Sequence, residues 1–335
     1  MSLGRPRVAV SLSAGRVQRN TMILYFAKRV GSSIVLLVVV SLLTFTLLNL
    51  TGGVAVARGI LGPLATDEQV QQRASELGLL NPFFVRFGEW LLNAAQGDLG
   101  RSWFTGEQVT SVLTARLPVT LTIAVTTVLV TAVLSTVLGV AAAVYRGWVD
   151  RAVQIIAVVG FALPGFWVAL VLVSSLAVTA GLFPATGYVP FSTSPGGWLA
   201  TITLPVASLA IGSIAATAQI LRGSLIDILG SDFVRTLRAA GVPERRVLFV
   251  HALRNAAPPS LTVLSLQFIG LLGGTVIIEK VFALPGIGSV AETATATGDL
   301  PLVLGVVVLS VAVVIIVNLV IDLVNGFLNP KVRIS

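Results

Sequence analysis

Residues 232–259 read DFVRTLRAAGVPERRVLFVHALRNAAPP, a polar, charge-dense stretch set between two strongly apolar ones. Phe233, Val234, Leu237 and Ala240 fall at i, i+1, i+4 and i+7, the spacing of one helix face. Ser231 or Asp232 is placed to cap that helix, accepting hydrogen bonds from backbone N–H groups that have no partner in the first turn. Gly241 ends the pattern. Pro243 followed by Glu244 then opens a second helix, because proline at a helix start gives up no hydrogen bond. The spacing predicts a short helix, a glycine hinge and a second short helix running into an apolar segment, which is a shape suited to docking. The plain alternative is a surface loop with a solvated basic face.

Around this stretch the composition is that of a membrane protein. Of 335 residues, 55% are hydrophobic and 11% charged, whereas a soluble domain carries roughly 25% charged residues. The mean hydropathy is +0.96. The chain has no cysteine, which excludes a disulfide scaffold, thiolate catalysis and cysteine metal sites. Its single histidine, His251, argues against a histidine metal site or a Ser-His triad, so no metal is expected. A net charge of +8 could suggest nucleic acid, but the basic residues sit at the flanks of apolar runs, and no nucleic-acid partner is expected.

Apolar runs predict six spans, at about 30–50, 117–144, 153–180, 202–221, 261–278 and 302–323. The first is long enough to cross about 30 Å of hydrocarbon at about 1.5 Å per residue. It follows Lys28 and Arg29 as a signal peptide would, but it exceeds a typical h-region and has no convincing small-residue cleavage site, so it is read as retained. Residues 1–21 read as a disordered tail and 22–335 as one transmembrane domain. Residues 51–116 carry five arginines against six acidic residues and are expected to pack on the helices as a cap. Pro164-Gly165 permits a kink in the third span, and Gly270, Gly273 and Gly274 permit close helix approach in the fifth. Residues 279–300 read as an outer turn. There Glu279 and Lys280 are expected to snorkel to the interface, while Asp322, in the last span, is expected to pair with a basic group or water.

Six spans put both termini on one side. Sixteen of the 22 lysines and arginines fall on that side, together with the 232–259 stretch, and six fall on the other. The positive-inside rule places the sixteen, and both termini, in the cytoplasm.

No residue pattern here carries catalysis. A P-loop requires G-x-x-x-x-G-K-[ST], yet Lys28, Lys280 and Lys331 are followed by Arg29, Val281 and Val332. Uphill transport therefore needs either an ATPase partner or an ion gradient. A proton relay would place an ionisable group deep in a span, and the first four spans contain none. This disfavours a secondary transporter, although a sodium site built from carbonyls needs no carboxylate. A passive pore is the other alternative.

The run VRTLRAAG followed by HALRNAAPP resembles the EAA loop of ABC-importer permeases, in the form carried by the dipeptide and oligopeptide family. Arg235, Thr236, Arg238, Ala239, Gly241, His251, Ala252, Leu253, Arg254, Asn255, Ala256 and Pro259 carry the likeness. Leu237, Ala240 and the doubled Pro258-Pro259 depart from it. The first loop resembles the same family through Leu77, Gly78, Asn81, Pro82, Trp90, Gly97, Asp98, Leu99, Gly100 and Ser102, but lacks its Pro-Gly-Asp-Pro turn. So does FALPGIG with Asp299 and Pro301, where the usual arginine and tyrosine are missing, and so does the last helix, through Asn318, Asp322, Leu323, Asn329, Pro330 and Arg333. The resemblance implies an all-helical integral membrane protein with the six-span type I ABC-importer permease fold and cytoplasmic coupling helices. It implies a bacterial cell-membrane location and an import role, with di- and oligopeptides the usual cargo; nickel, glutathione and sugars are carried by relatives.

The same resemblance implies the partners. These are a second, homologous permease, two ABC ATPases that bind ATP and magnesium, an extracytoplasmic binding protein and the surrounding lipid. The chain itself is expected to need no cofactor. Asp232, Phe233, Arg235, Thr236, Arg238, Ala239, Gly241 and Pro243 would dock the ATPase. His251, Arg254 and Asn255 would anchor the second docking helix, with Arg254 and Asn255 satisfying buried carbonyls. No substrate-binding residue is assigned.

Overall fold

The computed structural model of the chain describes residues 31–50 and 53–328. The expected tail at 1–21, the Lys28–Arg29 pair, residues 329–335 and the side chain of Asp322 lie outside the described residues.

In chain order the helices are α1 (Gly31–Asn49), α2 (Gly53–Leu61), α3 (Asp67–Glu76), α4 (Phe83–Ala95), α5 (Val109–Tyr145) and α6 (Trp148–Ala162). They continue with α7 (Gly165–Thr179), α8 (Pro195–Leu229), α9 (Asp232–Ala239), α10 (Glu244–Val281), α11 (Ile287–Thr297) and α12 (Leu300–Leu328). Helices α1, α5, α8, α10 and α12 are long and apolar enough to cross a membrane, and the bent pair α6–α7 supplies a sixth span. The six-span, all-helical reading therefore holds.

The third span departs from its expected form. Pro164 does not merely kink it, because α6 and α7 meet at 96°. The cause is local: a residue before proline is sterically pushed out of the helical region, and Leu163 is extended at φ −85°, ψ 121°. Carbonyl Pro164 then accepts the N–H groups of Trp167 and Val168, so α7 starts afresh in a new direction.

Several spans run longer than their apolar windows. Helix α5 has 37 residues, about 55 Å at about 1.5 Å per residue, and its first two turns lie beyond the apolar run. They are helical because Val109 and Leu113 are buried against Leu302, Val303 and Val306 of α12 and Ile287 and Ala294 of α11. Tertiary burial on one side substitutes there for lipid on all sides.

Residues 53–107 form a helical cap. Thr66 and Gln69 make a reciprocal capping box that starts α3. The cap is fixed to α1 by Phe45, which meets Phe83 and Phe87 edge-on at 5.1 and 5.4 Å, and by Arg86, which donates to Asn49 at 2.8 Å. It is fixed to the α11–α12 turn by Asp299, only 2% exposed, which accepts from the hydroxyl of Ser102 and from the N–H of Trp103. Ser102 and Asp299, each part of a different recognisable motif, are thus two ends of one latch.

The bundle centres on α8, which packs on α5, α6, α7 and α10. Small residues let α5 and α8 approach: a Cβ on Gly139 would lie 3.0 Å from the Ala218 carbonyl. The glycines expected to do this in the fifth span do not. Gly270 and Gly273 face open space, and Gly274 meets only the end of Leu209. Spacing located small residues but not the rotation of α10 that decides which of them meets a neighbour.

Candidate functional site

The 231–259 stretch folds as helix, turn, helix. Helix α9 presents one apolar contact inward, Val234, which is fully buried, and Val247 in the second helix is buried as well. Asp232, Phe233, Arg235, Thr236, Arg238 and Ala239 are exposed, Phe233 with 40% of its surface. The helix is charge-dressed along its own face. Arg235 donates to Asp232 at 3.2 Å, and Arg238 donates to Glu244 across the turn at 3.0 Å. The hydrogen bonds to Glu244 hold the Arg238 guanidinium above its ordinary pKa.

The turn is closed by Gly241 at φ +76°. Its N–H donates to the Arg238 carbonyl and the N–H of Val242 to the Leu237 carbonyl, the paired bonds of a Schellman motif, which needs a left-handed residue at this place. Pro243 then stands just outside the second helix, and its carbonyl accepts from Arg246 and Val247.

Two expectations for this stretch are corrected. Neither the Ser231 nor the Asp232 side chain caps α9: the Ser231 hydroxyl turns back to the Ile228 carbonyl at 2.6 Å. The second helix does run into the apolar segment, as the first part of α10, and is continuous with the fifth span. Arg254 and Asn255 are exposed, and the Asn255 amide donates to the His251 carbonyl one turn back at 2.8 Å, not to a buried carbonyl. What roots α10 is apolar packing of Ala252 and Ala256 against Ala143 of α5 and Leu221 and Leu225 of α8. His251 stands beside them, half-buried. The same end of the bundle is tied by Arg222 of α8, which pairs in a two-pronged fashion with Asp150 at the start of α6.

At the opposite end of α10 the outer turn is pinned from within. Glu279 is 1% exposed, so it does not snorkel. Its carboxylate accepts from the Thr120 hydroxyl of α5 at 2.6 Å and from the Ser289 N–H of α11 at 3.0 Å. The Thr120 oxygen in turn accepts from the Ile287 N–H at 2.8 Å. A carboxylate at a helix N-terminus meets unpaired N–H groups and the positive end of the helix dipole, which explains how an acidic side chain is kept inside the bundle. Lys280 does reach outward and pairs with Glu292. The 279–300 segment is therefore a tight turn plus helix α11, and α11 packs on α10, α12 and α5. The available hint was Glu279, six residues before the Pro285-Gly286-Ile287-Gly288 run.

Among the described residues no group of His, Asp and Glu is arranged to hold a metal ion. The arrangement is mechanical: an exposed, hinged helix at one end is joined through a continuous helix to a pinned turn at the other.

Residues 135–334 match the family described as binding-protein-dependent transport system inner membrane component. Residues 22–124 match the N-terminal region of the membrane components of binding-protein-dependent transport systems. Among curated relatives, a putative peptide transport system permease protein of Brucella abortus (strain 2308) is 38% identical over 307 residues, covering 91% of this chain and 98% of that one. A probable peptide ABC transporter permease protein of Sinorhizobium fredii is 34% identical, covering 92% and 99%. The glutathione transport system permease protein GsiC of Escherichia coli (strain K12) is also 34% identical, covering 93% and 99%.

Proposed function

The chain belongs to the family of binding-protein-dependent transport system inner membrane components, and we propose that it forms half of the translocation path of an ATP-driven importer of short peptides. As a permease component it is not itself the catalytic subunit. In this reading a second, similar permease supplies the other half. Two ATPases bind ATP with magnesium and dock on the end that carries α9, and a binding protein delivers solute at the other end. The sixteen basic residues on the α9 side support a cytoplasmic location for that end.

The observation that carries the proposal is α9 itself. It is a short helix with Phe233 and three charged side chains turned outward, held by a glycine turn at the root of a spanning helix. Asp232, Phe233, Arg235, Thr236, Arg238, Ala239, Gly241 and Pro243 form the docking surface and its hinge. His251 lies half-buried where α10 meets the bundle, beside the apolar packing that roots the helix. The root of α10 is packed between the ends of α5 and α8, so displacing α9 displaces the three helices together. Each state of the ATPase dimer then favours one state of the spans, because a ligand shifts an equilibrium only through its differential interaction with the two states. The names of the relatives point to peptide cargo, and glutathione is itself a peptide.

The test is gentle purification of the tagged chain from its own membranes. Co-recovery of a P-loop ATPase and a second six-span protein is the expected result. Recovery of the chain alone, with transport that survives ATP depletion and collapses with an ion gradient, overturns the reading. Within the intact complex, Phe233→Ala is expected to weaken ATPase retention about tenfold, since burying a phenylalanine contributes roughly 1.5–3 kcal/mol. Unchanged retention would remove Phe233 from the interface.

A further inference from the structure

At the end of the bundle away from α9, the first turns of α5 face an open groove of about 750 Å³, within the ~300–1,000 Å³ typical of small-molecule sites. Glu107, Ser111 and Arg116 line one wall, and Tyr188, Pro190 and Pro285 line the other. Both walls are held in place. The Gly187 N–H donates to the Phe282 carbonyl at 2.9 Å, which sets Tyr188 and Pro190 beside the outer turn. The Thr120 bond to the Ile287 N–H sets Pro285 against α5. The groove is thus built on the Glu279 network and does not rest on a loose loop. A second cavity, between α5, α10, α11 and α12, is about 140 Å³ and almost wholly apolar in its lining; it offers nothing comparable.

The charges in the groove are unspent. Among the described residues of the cap, Arg58 and Arg73 pair with Asp67 and Glu76, Arg86 donates to Asn49, and Arg101 donates to the Gly106 carbonyl. Arg116 has no such acceptor among the described residues, and the Glu107 carboxylate has no donor, although both line the same groove. Both side chains are exposed in the open groove, so their charges are free to pair with a ligand of complementary charge.

From the helix start beside Glu107 to Arg116 is about eight residues, or roughly 12 Å along the axis. An extended chain advances about 3.3–3.6 Å per residue, so the span matches a peptide of roughly three to four residues. We infer that this groove is a solute site on the transport path, in which Arg116 receives the carboxylate of a short zwitterionic peptide and Glu107 its ammonium. The inference rests on the importer reading above and adds to it a place, two residues and a preferred length.

The experiment uses the whole transporter in proteoliposomes, driven by ATP and supplied with saturating loaded binding protein. Uptake of a labelled tripeptide is compared with uptake of its C-terminally amidated form. Arg116→Gln is expected to lower uptake of the free tripeptide tenfold or more and uptake of the amide less than threefold. Arg116→Lys, which keeps the charge, is expected to restore free-peptide uptake to within threefold of wild type. Glu107→Gln is expected to act on the free-amine peptide and to spare its N-acetylated form. Uptake by Arg116→Gln within twofold of wild type, or equal loss for both peptides, overturns the proposal alone. Loss of the second permease from the purified variant overturns it in favour of a contact between subunits. A wild-type transporter that hydrolyses ATP but imports neither peptide overturns the peptide reading and this inference with it.

Discussion

Replacing Gly241 with valine is expected to leave the transporter assembled in the membrane, to cut solute uptake at least tenfold, and to leave ATP hydrolysis running. The argument starts from one dihedral. Gly241 sits at φ +76°, where a β-branched residue is an outlier and costs on the order of 1–3 kcal/mol. A Cβ at this position would meet nothing within 4 Å, so the penalty is conformational and not steric. The strain is relieved by unwinding the end of α9 or by re-aiming Val242 and Pro243, and either change alters how α9 is presented relative to the root of α10. Gly241→Ala provides the graded comparison, because alanine in the left-handed region costs roughly 1–2 kcal/mol and should be milder. Hydrolysis and uptake measured on the same proteoliposomes decide the matter. Normal uptake by the valine variant would sink the hinge role.

The second large effect is expected inside the bundle. Glu279→Ala removes the acceptor shared by the Thr120 hydroxyl and the Ser289 N–H in a site closed to solvent. Two buried donors left unpaired cost roughly 2–6 kcal/mol together, and the volume of the lost side chain adds a cavity. The purified protein should therefore melt well below wild type in detergent, and its abundance in the membrane should fall. Glu279→Gln keeps the shape and one acceptor oxygen and should recover part of the loss. The site does not accommodate a shift of the backbone, because a Cβ on Gly288 would lie 2.6 Å from the Cα of Val276. An alanine variant that melts like wild type would show that Glu279 does not hold the turn.

Both effects trace back to how different parts of the chain were legible. The helix–glycine–helix order of 232–259 held, with Gly241 at the turn, because it depends on neighbours in sequence. Backbone sterics at a glycine or a proline act within a few residues. The same locality made the break at Pro164 foreseeable, although not its 96° angle, which depends on how α6 and α7 each pack on α8.

Side-chain partners were not legible. Glu279 looks from its surroundings like an interfacial snorkelling residue, since it stands next to Lys280 at the end of an apolar run. Its partner Thr120 lies 159 residues away, and Asp299 meets Ser102 across 197 residues. Nothing in the local pattern of either member announces the other.

The amino-acid sequence by itself determined the membrane character, the number of spans and the short helix with its glycine turn, because apolar run length and backbone sterics are properties of short stretches. Only the tertiary structure decided which buried carboxylate pins the outer turn, which glycines bring helices together and where Arg116 and Glu107 share a groove. Those outcomes depend on the rotation and tilt of packed helices, which set the faces that meet, and a helical period alone leaves that rotation open.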